Sequence, residues 1–486
     1  MGIKTGKEYK ESLRDNRQLF VDGKLVTDVT EYGPMQGVIN TISGVYDQQH
    51  DSAYKDILTF ASPATGDVVS KTYLEAKTEG ELGQLSACYH LRTKTTFGLM
   101  GRLTDFMSAF LMDQVCALRA IGKTEAADKA QAIVDNCREN DLQVTHALID
   151  PQTDRSKDDA PNEAVRVVER RDDGVVVSGC RMLSTLAPVA NECYIGPYFP
   201  RKPGEEDFVL AFQLPMNAPG LSILARQTYD NGQNAFDRPL TTRFDEGDAI
   251  LVFDNVFVPN ERLIVNGDLE AYNGIMQYGA GYTGIQACTR STMKLRFLTG
   301  MATAVARMNQ RDKTPRFQAA IGELVGWVNV AEGIRTATLV DTQKRIQAYS
   351  EGKKAVVGDG VSEPVFQTAS GYAALNFLFP LVNTKAVDVL RLAAGSGSLA
   401  PTEADYNRDD VGSMMDRYLV AQGVDSKGRL QLLKLAWDMT GTEFGSRQGL
   451  YERLYSGDPE RNAMNWFKGP STNDCESMIA SFFSEQ

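Results

Sequence analysis

The sequence predicts an α+β protein in which a helical N-terminal domain, a β-rich middle domain and a C-terminal four-helix bundle follow one another. Three observations lead to this prediction. Apolar residues recur every three or four positions in the first 140 residues, the period shortens to two between residues 162 and 262, and the helical period then returns in longer runs. The predicted domains are residues 1–150, 151–267 and 268–486.

The first two domains carry clear local signals. Residues 74–97 and 105–121 have the apolar spacing of amphipathic helices. Asp172-Asp173-Gly174 divides two short Val-rich runs, which is typical of a β-hairpin turn. Where helices give way to strands, irregular backbone between packed layers favours a ligand cleft. Further strands are expected at residues 191–199, 208–214, 221–225 and 249–259.

The C-terminal domain is expected to be a bundle of long helices, at residues 286–309, 314–350, 363–395 and 427–455. The segment 395–400, GSGSLA, matches the G-x-G-x-x-A dinucleotide fingerprint. However, it follows a helical pattern instead of a strand, and Pro401 comes directly after it. We therefore interpret it as an interhelical loop. If the protein is a redox enzyme, its electrons are expected to come from elsewhere.

Charge and composition argue against several classes of partner. A net charge of −12 disfavours nucleic acid and anionic membranes. Residues 1–16 lack the apolar core of a signal peptide, and the most apolar window, 373–382, is too short to span a bilayer. We therefore expect a cytoplasmic protein. The seven cysteines form no CxxC pair, which predicts reduced, mostly buried thiols and no metal site.

Several segments resemble one known family. Residues 145–156, THALIDPQTDRS, place His146 at the junction of the first two domains and resemble the TH-x-x-x-x-PQ-x-DRS segment of the 4-hydroxyphenylacetate 3-monooxygenase family, oxygenase component. Residues 101–107, GRLTDFM, resemble that family's GR-x-x-D-[YF]-M segment. The resemblance implies an acyl-CoA dehydrogenase-like fold with a β-barrel-like middle domain. Further resembling segments, in order, are LVFDNVFVP at 251–259, Thr289-Arg290 with Lys294 and Phe297, and FGSR at 444–447.

The resemblance implies a two-component, flavin-dependent monooxygenase. Such an enzyme takes reduced FAD from a separate NAD(P)H:flavin reductase and reacts it with O2 to give a C4a-hydroperoxyflavin. It then hydroxylates a small aromatic substrate, typically ortho to a phenolic hydroxyl. The substrate is either free or tethered to a carrier, and the family implies a homotetramer or homodimer.

The resemblance also implies roles for individual residues. Arg102 corresponds to an arginine placed against the phenol oxygen, where a guanidinium lowers the pKa of the phenol and holds the phenolate. His146 corresponds to a histidine of the same pocket, which accepts the phenol proton or hydrogen-bonds the phenolate or the hydroperoxide. Phe106 departs from the tyrosine common in enzymes acting on 4-hydroxyphenylacetate, which favours a different or larger aromatic substrate. The implied cofactor contacts are Thr145, His146, Ala147, Gln152, Thr153, Asp154, Arg155, Thr185, Phe444, Gly445, Ser446 and Arg447.

Three alternatives stay open at this point. A 4-hydroxybutyryl-CoA dehydratase-like enzyme would need iron–sulfur ligands that include a pair of cysteines just upstream of the segment at Asp105, and no cysteine lies between Cys88 and Cys116. An acyl-CoA dehydrogenase-like enzyme would need a carboxylate base, for which Glu363 and Glu443 are available. A non-catalytic flavin-binding or scaffold protein would not need the retained arginine and histidine.

Overall fold

The computed structural model describes residues 2–154, 156, 162–276, 278–279, 281–351, 371–455, 457–468 and 470–484. The predicted α+β class and the order of helical, β-rich and helical regions are confirmed. The helices are α1 (Gly6–Glu11), α2 (Gln36–Asp47), α3 (Lys55–Leu58), α4 (Glu79–Thr95), α5 (Thr104–Ala120), α6 (Thr124–Glu139), α7 (Thr241–Phe244), α8 (Leu269–Gly274), α9 (Tyr282–Met308), α10 (Pro315–Ser350), α11 (Gly371–Ala394), α12 (Glu403–Tyr406), α13 (Asp409–Tyr418), α14 (Ser426–Thr440), α15 (Glu443–Leu454), α16 (Pro459–Phe467) and α17 (Pro470–Ser484).

The strands form two larger sheets and one small hairpin. The six-stranded sheet has the order β2-β1-β10-β11-β7-β6, the four-stranded sheet has the order β12-β9-β8-β5, and β3 pairs with β4. The pairs β1–β10 and β5–β8 are parallel, whereas the other pairs are antiparallel. The strands are β1 (Gln18–Val21), β2 (Lys24–Val26), β3 (Thr59–Ala61), β4 (Val68–Ser70), β5 (Val144–Ala147), β6 (Arg166–Arg171), β7 (Gly174–Thr185), β8 (Glu192–Ile195), β9 (Leu210–Pro215), β10 (Leu221–Ala225), β11 (Asp248–Pro259) and β12 (Leu263–Asn266).

The sheet register explains how distant segments meet. Arg171 pairs with Gly174 across β6 and β7, so the turn predicted at Asp172-Asp173-Gly174 is present, with Asp172 and Asp173 as its two residues and Gly174 as the first residue of β7. At the other end of the long strand β7, Thr185 pairs with Asp248, the first residue of β11. The C-terminal end of β7 and the N-terminal end of β11 therefore lie side by side, and Arg447 of α15 binds Asp248 at this point.

Two features of the β region differ from the prediction. Residues 18–26 and 144–147 were assigned to the helical region, but they form β1, β2 and β5 and extend the two sheets. Strands of three or four residues are too short for alternation to be recognised in the sequence. The described strands form open sheets and no closed barrel. The domain boundaries at residues 150 and 267 stay a prediction.

The predicted four-helix bundle consists of α9, α10, α11 and α14. Helix α10 has 36 residues, which corresponds to about 54 Å of helix. The predicted single helix at 427–455 is wrong, because α14 ends at Thr440, with Gly441 as its C-cap, and Thr442 caps a new helix, α15, by accepting a hydrogen bond from Gly445 N at 3.2 Å. The first eight residues of the predicted helix 363–395 lie outside the described residues. The segment Gly395–Ser398 is an interhelical turn, as predicted.

One helix of the described part, Gly371–Ser398, is long and apolar enough to cross a membrane by length and composition. It is longer than the apolar window recognised in the sequence. Within the protein it packs against α9, α10 and α14, which is the position of a core helix in a bundle.

The hydrophobic core has two parts, and their meeting point positions the site. One cluster of buried residues joins the bundle to the six-stranded sheet, and the other joins α4, α5 and α6 to the four-stranded sheet. Leu103 belongs to the first cluster and Phe106 to the second. The loop that precedes α5 therefore lies where the two clusters meet. The junction that the sequence indicated as a cleft begins there too, since Ala147 belongs to the first cluster and Leu148 to the second.

Candidate active site

Arg102 lies in the loop between α4 and α5 and is only 8% exposed. Its guanidinium carbon is 4.1 Å from the ring centre of Phe106, 4.6 Å from that of Tyr455 and 5.5 Å from that of Tyr451. Its Nη1 donates to the carbonyl of Gly101 at 3.0 Å. No carboxylate of the described residues forms an ion pair with it. A buried cation without an anionic partner is costly, so the arrangement favours a negatively charged ligand.

The packing of α15 explains why residue 101, directly before Arg102, is a glycine. The amide of Gly101 donates to Glu246 Oε1 at 2.7 Å. A Cβ added at Gly101 would lie 1.9 Å from Tyr451 Oη, which is far inside van der Waals contact. Only glycine lets α15 approach this loop so closely, and the approach places the ring of Tyr451 beside Arg102.

His146 lies on the edge strand β5 and faces the aromatic side chains of α5. Its ring centre is 5.8 Å from that of Phe106 and 5.7 Å from that of Phe110. Its Nδ1 is buried and has no hydrogen-bond partner among the described residues. Burial, assisted by the positive charge of Arg102, lowers the pKa of His146 well below its ordinary value. The imidazole is therefore neutral near pH 7 and offers one nitrogen as an acceptor and the other as a donor.

Aromatic rings complete the surroundings of Arg102 and His146. Phe106 stacks on Phe110 at 6.0 Å, and Phe110 meets Tyr194 edge to face at 5.8 Å. Burial alone would lower the pKa of Arg102, but the hydroxyls of Tyr451 and Tyr455 more than offset this, so its pKa is raised and it stays charged. The three predicted substrate residues, Arg102, Phe106 and His146, are thus brought together in one aromatic-walled site.

Three predicted cofactor residues lie together in a buried network. Thr145 Oγ1 donates to the carbonyl of Thr185 at 2.5 Å, and Thr185 Oγ1 donates to Asp248 Oδ1 at 2.8 Å. Arg447 donates to Asp248 Oδ1 at 2.7 Å and to Glu246 Oε2 at 2.6 Å. Burial alone would raise the pKa of Asp248, but Arg447 and Arg226 hold it well below its usual value. These polar groups therefore already have partners within the chain, and the network joins β5, β7 and β11 to α15.

The predicted residues around Arg447 differ in exposure. Phe444 is 1% exposed and belongs to the core. A Cβ added at Gly445 would lie 2.3 Å from the carbonyl oxygen of Met439, so this glycine permits the tight connection between α14 and α15. Ser446 is exposed. Ala147, on β5, is fully buried.

The predicted turn after β5 is exposed and polar. Gln152, Thr153 and Asp154 are all exposed, and Asp154 Oδ1 accepts hydrogen bonds from the amide and hydroxyl of Ser156 at 3.0 and 2.6 Å. Arg155 lies outside the described residues. Residues just before this turn pair with the end of β7, through hydrogen bonds of 3.0 and 2.8 Å between Ile149 and Met182.

The surroundings of this turn fit a flavin. Leu183, next to the paired Met182, is 51% exposed, so an apolar surface lies close to an exposed polar turn. The isoalloxazine ring of FAD has an apolar benzenoid side and a polar pyrimidine edge, which require this combination. The unpartnered Nδ1 of His146, on the adjacent strand β5, is a further polar group available to a ligand.

The site contains residues that the sequence reasoning missed. Tyr451 and Tyr455 follow Arg447 at four-residue intervals, so the three side chains lie on one face of α15 or its immediate continuation. This spacing next to a recognised motif was the signal that could have identified them. Glu246 was also missed, because nothing local to its sequence shows that it binds both Gly101 and Arg447.

A buried charge cluster lies behind the two tyrosines. Glu452 accepts from Arg290 through both carboxylate oxygens, at 2.7 and 2.8 Å, and from Lys294 at 2.7 Å. All three side chains are at most 1% exposed. The guanidinium carbon of Arg290 is 5.6 Å from the ring centre of Tyr451 and 5.0 Å from that of Tyr455. The tyrosine rings thus lie between Arg102 on one side and Arg290 on the other.

The described part of the chain contains no candidate metal site. No group of three or more His, Cys, Asp or Glu side chains is arranged to hold a metal ion there. The cysteines are free, and four of them, Cys88, Cys137, Cys193 and Cys288, are fully buried.

Comparison with known proteins gives matches to one family along nearly the whole chain. Residues 5–265 match the family described as 4-hydroxyphenylacetate 3-hydroxylase N terminal, and residues 279–483 match 4-hydroxyphenylacetate 3-hydroxylase C terminal. The chain is 31% identical to the 4-hydroxyphenylacetate 3-monooxygenase oxygenase component of Geobacillus sp. (strain PA-9), over 99% of this chain and 97% of the relative. It is 28% identical to the 4-nitrophenol 2-monooxygenase oxygenase component of Rhodococcus sp, over 94% and 86%.

Solved structures agree with these matches. The crystal structure of the oxygenase component of 4-hydroxyphenylacetate 3-monooxygenase complexed with FAD and 4-hydroxyphenylacetate has a TM-score of 0.87 at 28% identity, covering 99% of this chain and 98% of that one. An archaeal 4-hydroxybutyryl-CoA dehydratase from N. maritimus shares the fold with a TM-score of 0.83 at 18% identity, covering 99% and 95%. A glutaryl-coenzyme A dehydrogenase does so with a TM-score of 0.52 at 11% identity, covering 94% and 92%.

The predicted acyl-CoA dehydrogenase-like fold is therefore confirmed, and so is the family resemblance. The two family matches leave only short segments of the chain uncovered. The chain belongs to the 4-hydroxyphenylacetate 3-hydroxylase family.

Proposed function

We propose that this protein is the oxygenase component of a two-component monooxygenase that hydroxylates a phenol with reduced FAD and O2. The overall reaction converts a phenol, O2 and FADH2 into a catechol, water and FAD. One oxygen atom enters the product, and the two electrons of FADH2 reduce the other. The observation that carries this proposal is a buried Arg102 without a carboxylate partner, beside a neutral His146 in an aromatic-walled site.

Arg102 binds the substrate oxygen as a phenolate. A fixed cation in a buried site lowers the pKa of the phenol and favours the anion. The phenolate oxygen donates electron density to its ortho carbon, which is the position that an electrophilic oxygen attacks. His146, neutral because of its lowered pKa, accepts the phenol proton or a hydrogen bond from the hydroxyl. When bound, reduced FAD supplies the electrons and activates O2.

FAD is held by the exposed turn after β5 and its neighbours. The proposed FAD contacts are the cofactor residues that the family resemblance implies. Among them, the exposed Gln152, Thr153 and Asp154 are the most direct candidates for contact with FAD. Thr145, Thr185 and Arg447 contribute by holding the ends of β5, β7 and α15 in place, because their polar groups have partners within the chain. The reduced cofactor comes from a separate NAD(P)H:flavin reductase. This agrees with the finding that Gly395–Ser398, which matches a dinucleotide-binding fingerprint in sequence, is an interhelical turn.

An acyl-CoA dehydrogenase-like reaction is less well supported. It requires a carboxylate base in the site. Glu443 is exposed on α15, and Glu363 lies outside the described residues. Glu246 does lie near Arg102, but it already accepts from Arg447 and from the Gly101 amide. The described geometry therefore favours phenol chemistry.

The substrate is a small aromatic compound, free or tethered to a carrier, and the enzyme is a cytoplasmic homotetramer or homodimer. Self-association is supported by exposed apolar side chains on the bundle and the C-terminal helix. Phe377 and Leu381 on α11 are 52% and 62% exposed, and Phe482 and Phe483 on α17 are 61% and 67% exposed. Light scattering coupled to gel filtration measures the assembly, and a monomer at micromolar concentration would contradict this part.

The activity is tested by supplying the purified protein with FAD, NADH, a flavin reductase and a panel of phenols under 18O2. We expect a product heavier by one labelled oxygen atom. NADH oxidation that yields only hydrogen peroxide with every phenol would contradict the proposal. Arg102→Ala is expected to reduce hydroxylation by about 100-fold or more, while FAD still binds as measured by fluorescence quenching. Arg408→Ala, on an exposed side chain, is the control, and unchanged turnover in Arg102→Ala would refute the assigned role.

A further inference from the structure

Among the rings around Arg102, the one at the position of the expected tyrosine cannot form a hydrogen bond. Phe106 lies 4.1 Å from the guanidinium carbon but carries no hydroxyl. The ring of Tyr455 lies at nearly the same distance from the same guanidinium, 4.6 Å, and meets the ring of Phe106 edge to face at 6.3 Å. A tyrosine is therefore present beside Arg102, but it comes from the end of α15 instead of from α5.

The hydroxyl of Tyr455 is buried and accepts from the guanidinium of Arg102, which can only donate, so the proton of the hydroxyl itself has no acceptor among the described residues. A buried donor without an acceptor is costly, and natural structures contain few such groups unless a ligand or water accepts from them. The hydroxyl of Tyr451 is also buried without a partner, but it lies over the backbone of Gly101, and the hydroxyl of Tyr198 lies beside Gly457. Of the two tyrosines at the end of α15, Tyr455 is the one whose hydroxyl hydrogen-bonds Arg102.

The ring of Tyr455 is also held in place by two neighbouring side chains. Arg290 lies 5.0 Å from its ring centre, and Tyr451 contacts it edge to face at 5.5 Å. Arg290 is itself fixed by the bidentate ion pair with Glu452. A donor whose position is fixed before the ligand arrives loses little conformational entropy on binding.

We propose that Tyr455 supplies the phenol-binding hydroxyl that Phe106 lacks, so that Arg102 and Tyr455 together hold the oxygen of the substrate. This inference rests on the proposed phenol hydroxylase function. It deepens that function by assigning a specificity-determining residue to α15. A hydroxyl that donates to a phenolate stabilises the anion, and so it lowers the pKa of the bound phenol.

The test is a pH titration of bound 4-nitrophenol, whose phenolate is yellow, with the full-length protein and saturating oxidised FAD. Difference spectra against the same mixture without the phenol give the pKa of the bound phenol. Tyr455→Phe is expected to raise that pKa by about one to two pH units, because a hydrogen bond to a charged group is removed. The double variant Phe106→Tyr/Tyr455→Phe is expected to recover most of the shift. Tyr418→Phe, on an exposed tyrosine, is the control.

The outcomes separate this inference from the proposed function. If the unmodified protein binds 4-nitrophenol with a lowered pKa and Tyr455→Phe does not change it, the inference is wrong and the phenol site stands. A raised pKa that Phe106→Tyr does not reverse also overturns it, since the effect would then come from altered packing. If the unmodified protein neither binds nor hydroxylates any phenol, the proposed function fails, and this inference fails with it.

Discussion

Replacing Glu452 by glutamine tests whether the charge cluster behind the site stabilises the fold. The substitution keeps the shape of the side chain but removes the only carboxylate that pairs with Arg290 and Lys294 within the described residues. Lys294 can respond by releasing its proton, because burial already lowers its pKa. Arg290 cannot, because a guanidinium stays protonated in proteins. The variant therefore leaves one buried, uncompensated charge.

The magnitude follows from that charge. Breaking a buried pair by removing one partner costs about 3–5 kcal/mol. With an unfolding entropy of about 2.1 cal/mol/K per residue, the 486 residues of this chain correspond to about 1 kcal/mol/K. We therefore expect the midpoint of thermal unfolding to fall by about 3–5 °C at constant protein concentration. Differential scanning calorimetry measures this shift directly.

Two further variants make the result decisive. Glu443→Gln removes an exposed carboxylate from the same helix and is expected to change the midpoint by less than about 1 °C. The double variant Arg290→Met/Glu452→Met removes both charges and is expected to recover most of the loss. A midpoint for Glu452→Gln equal to that of Glu443→Gln would refute the reasoning, since Arg290 would then not depend on Glu452.

The remaining predictions concern Gly101 and His146. Gly101→Ala places a Cβ 1.9 Å from Tyr451 Oη, so Tyr451 must move and kcat/KM for phenols should fall by about tenfold or more. The same substitution at Gly449, where nothing lies within 4 Å of the added Cβ, should leave kcat/KM unchanged. Equal values of kcat/KM for the two variants would contradict the packing argument. The pKa of His146 is lowered in the folded state, so below about pH 6.5 the unfolded chain binds a proton that the folded protein does not. Folding stability is therefore lost as the pH falls, by up to about 1.4 kcal/mol per pH unit from this group, and urea unfolding of His146→Gln between about pH 6.5 and 5 should show a correspondingly smaller loss.

The order of structural regions could be predicted from the sequence, because periodicity is a local property. The spacing at residues 314–350 predicted a helix that the structure has at Pro315–Ser350, and Asp172-Asp173 forms the predicted turn. The same method failed at β1 and β5, where four residues are too few to show a period. It also ran α14 and α15 together, since apolar spacing continues across Gly441 although the helix does not.

Arg102, Phe106 and His146 were identified from motifs, and the structure brings them together. The burial of these residues and their contacts could not be predicted from motifs. The lowered pKa of His146 depends on burial and on Arg102, which is 44 positions away in the chain. Contacts of this kind are formed by packing between separate elements, and no local pattern encodes them.

The sequence by itself determined the fold class and the family, and it predicted the residues that are proposed to carry the chemistry, because these depend on periodicity and on short motifs. Only the tertiary structure decided that Arg447 and Thr185 are engaged in a network with Asp248, and that α15 presents Tyr455 to Arg102. The physical reason is that burial and partner choice are properties of the packed molecule. The ends of β7, β11 and α15 are brought within hydrogen-bonding distance only when the bundle closes on the sheet.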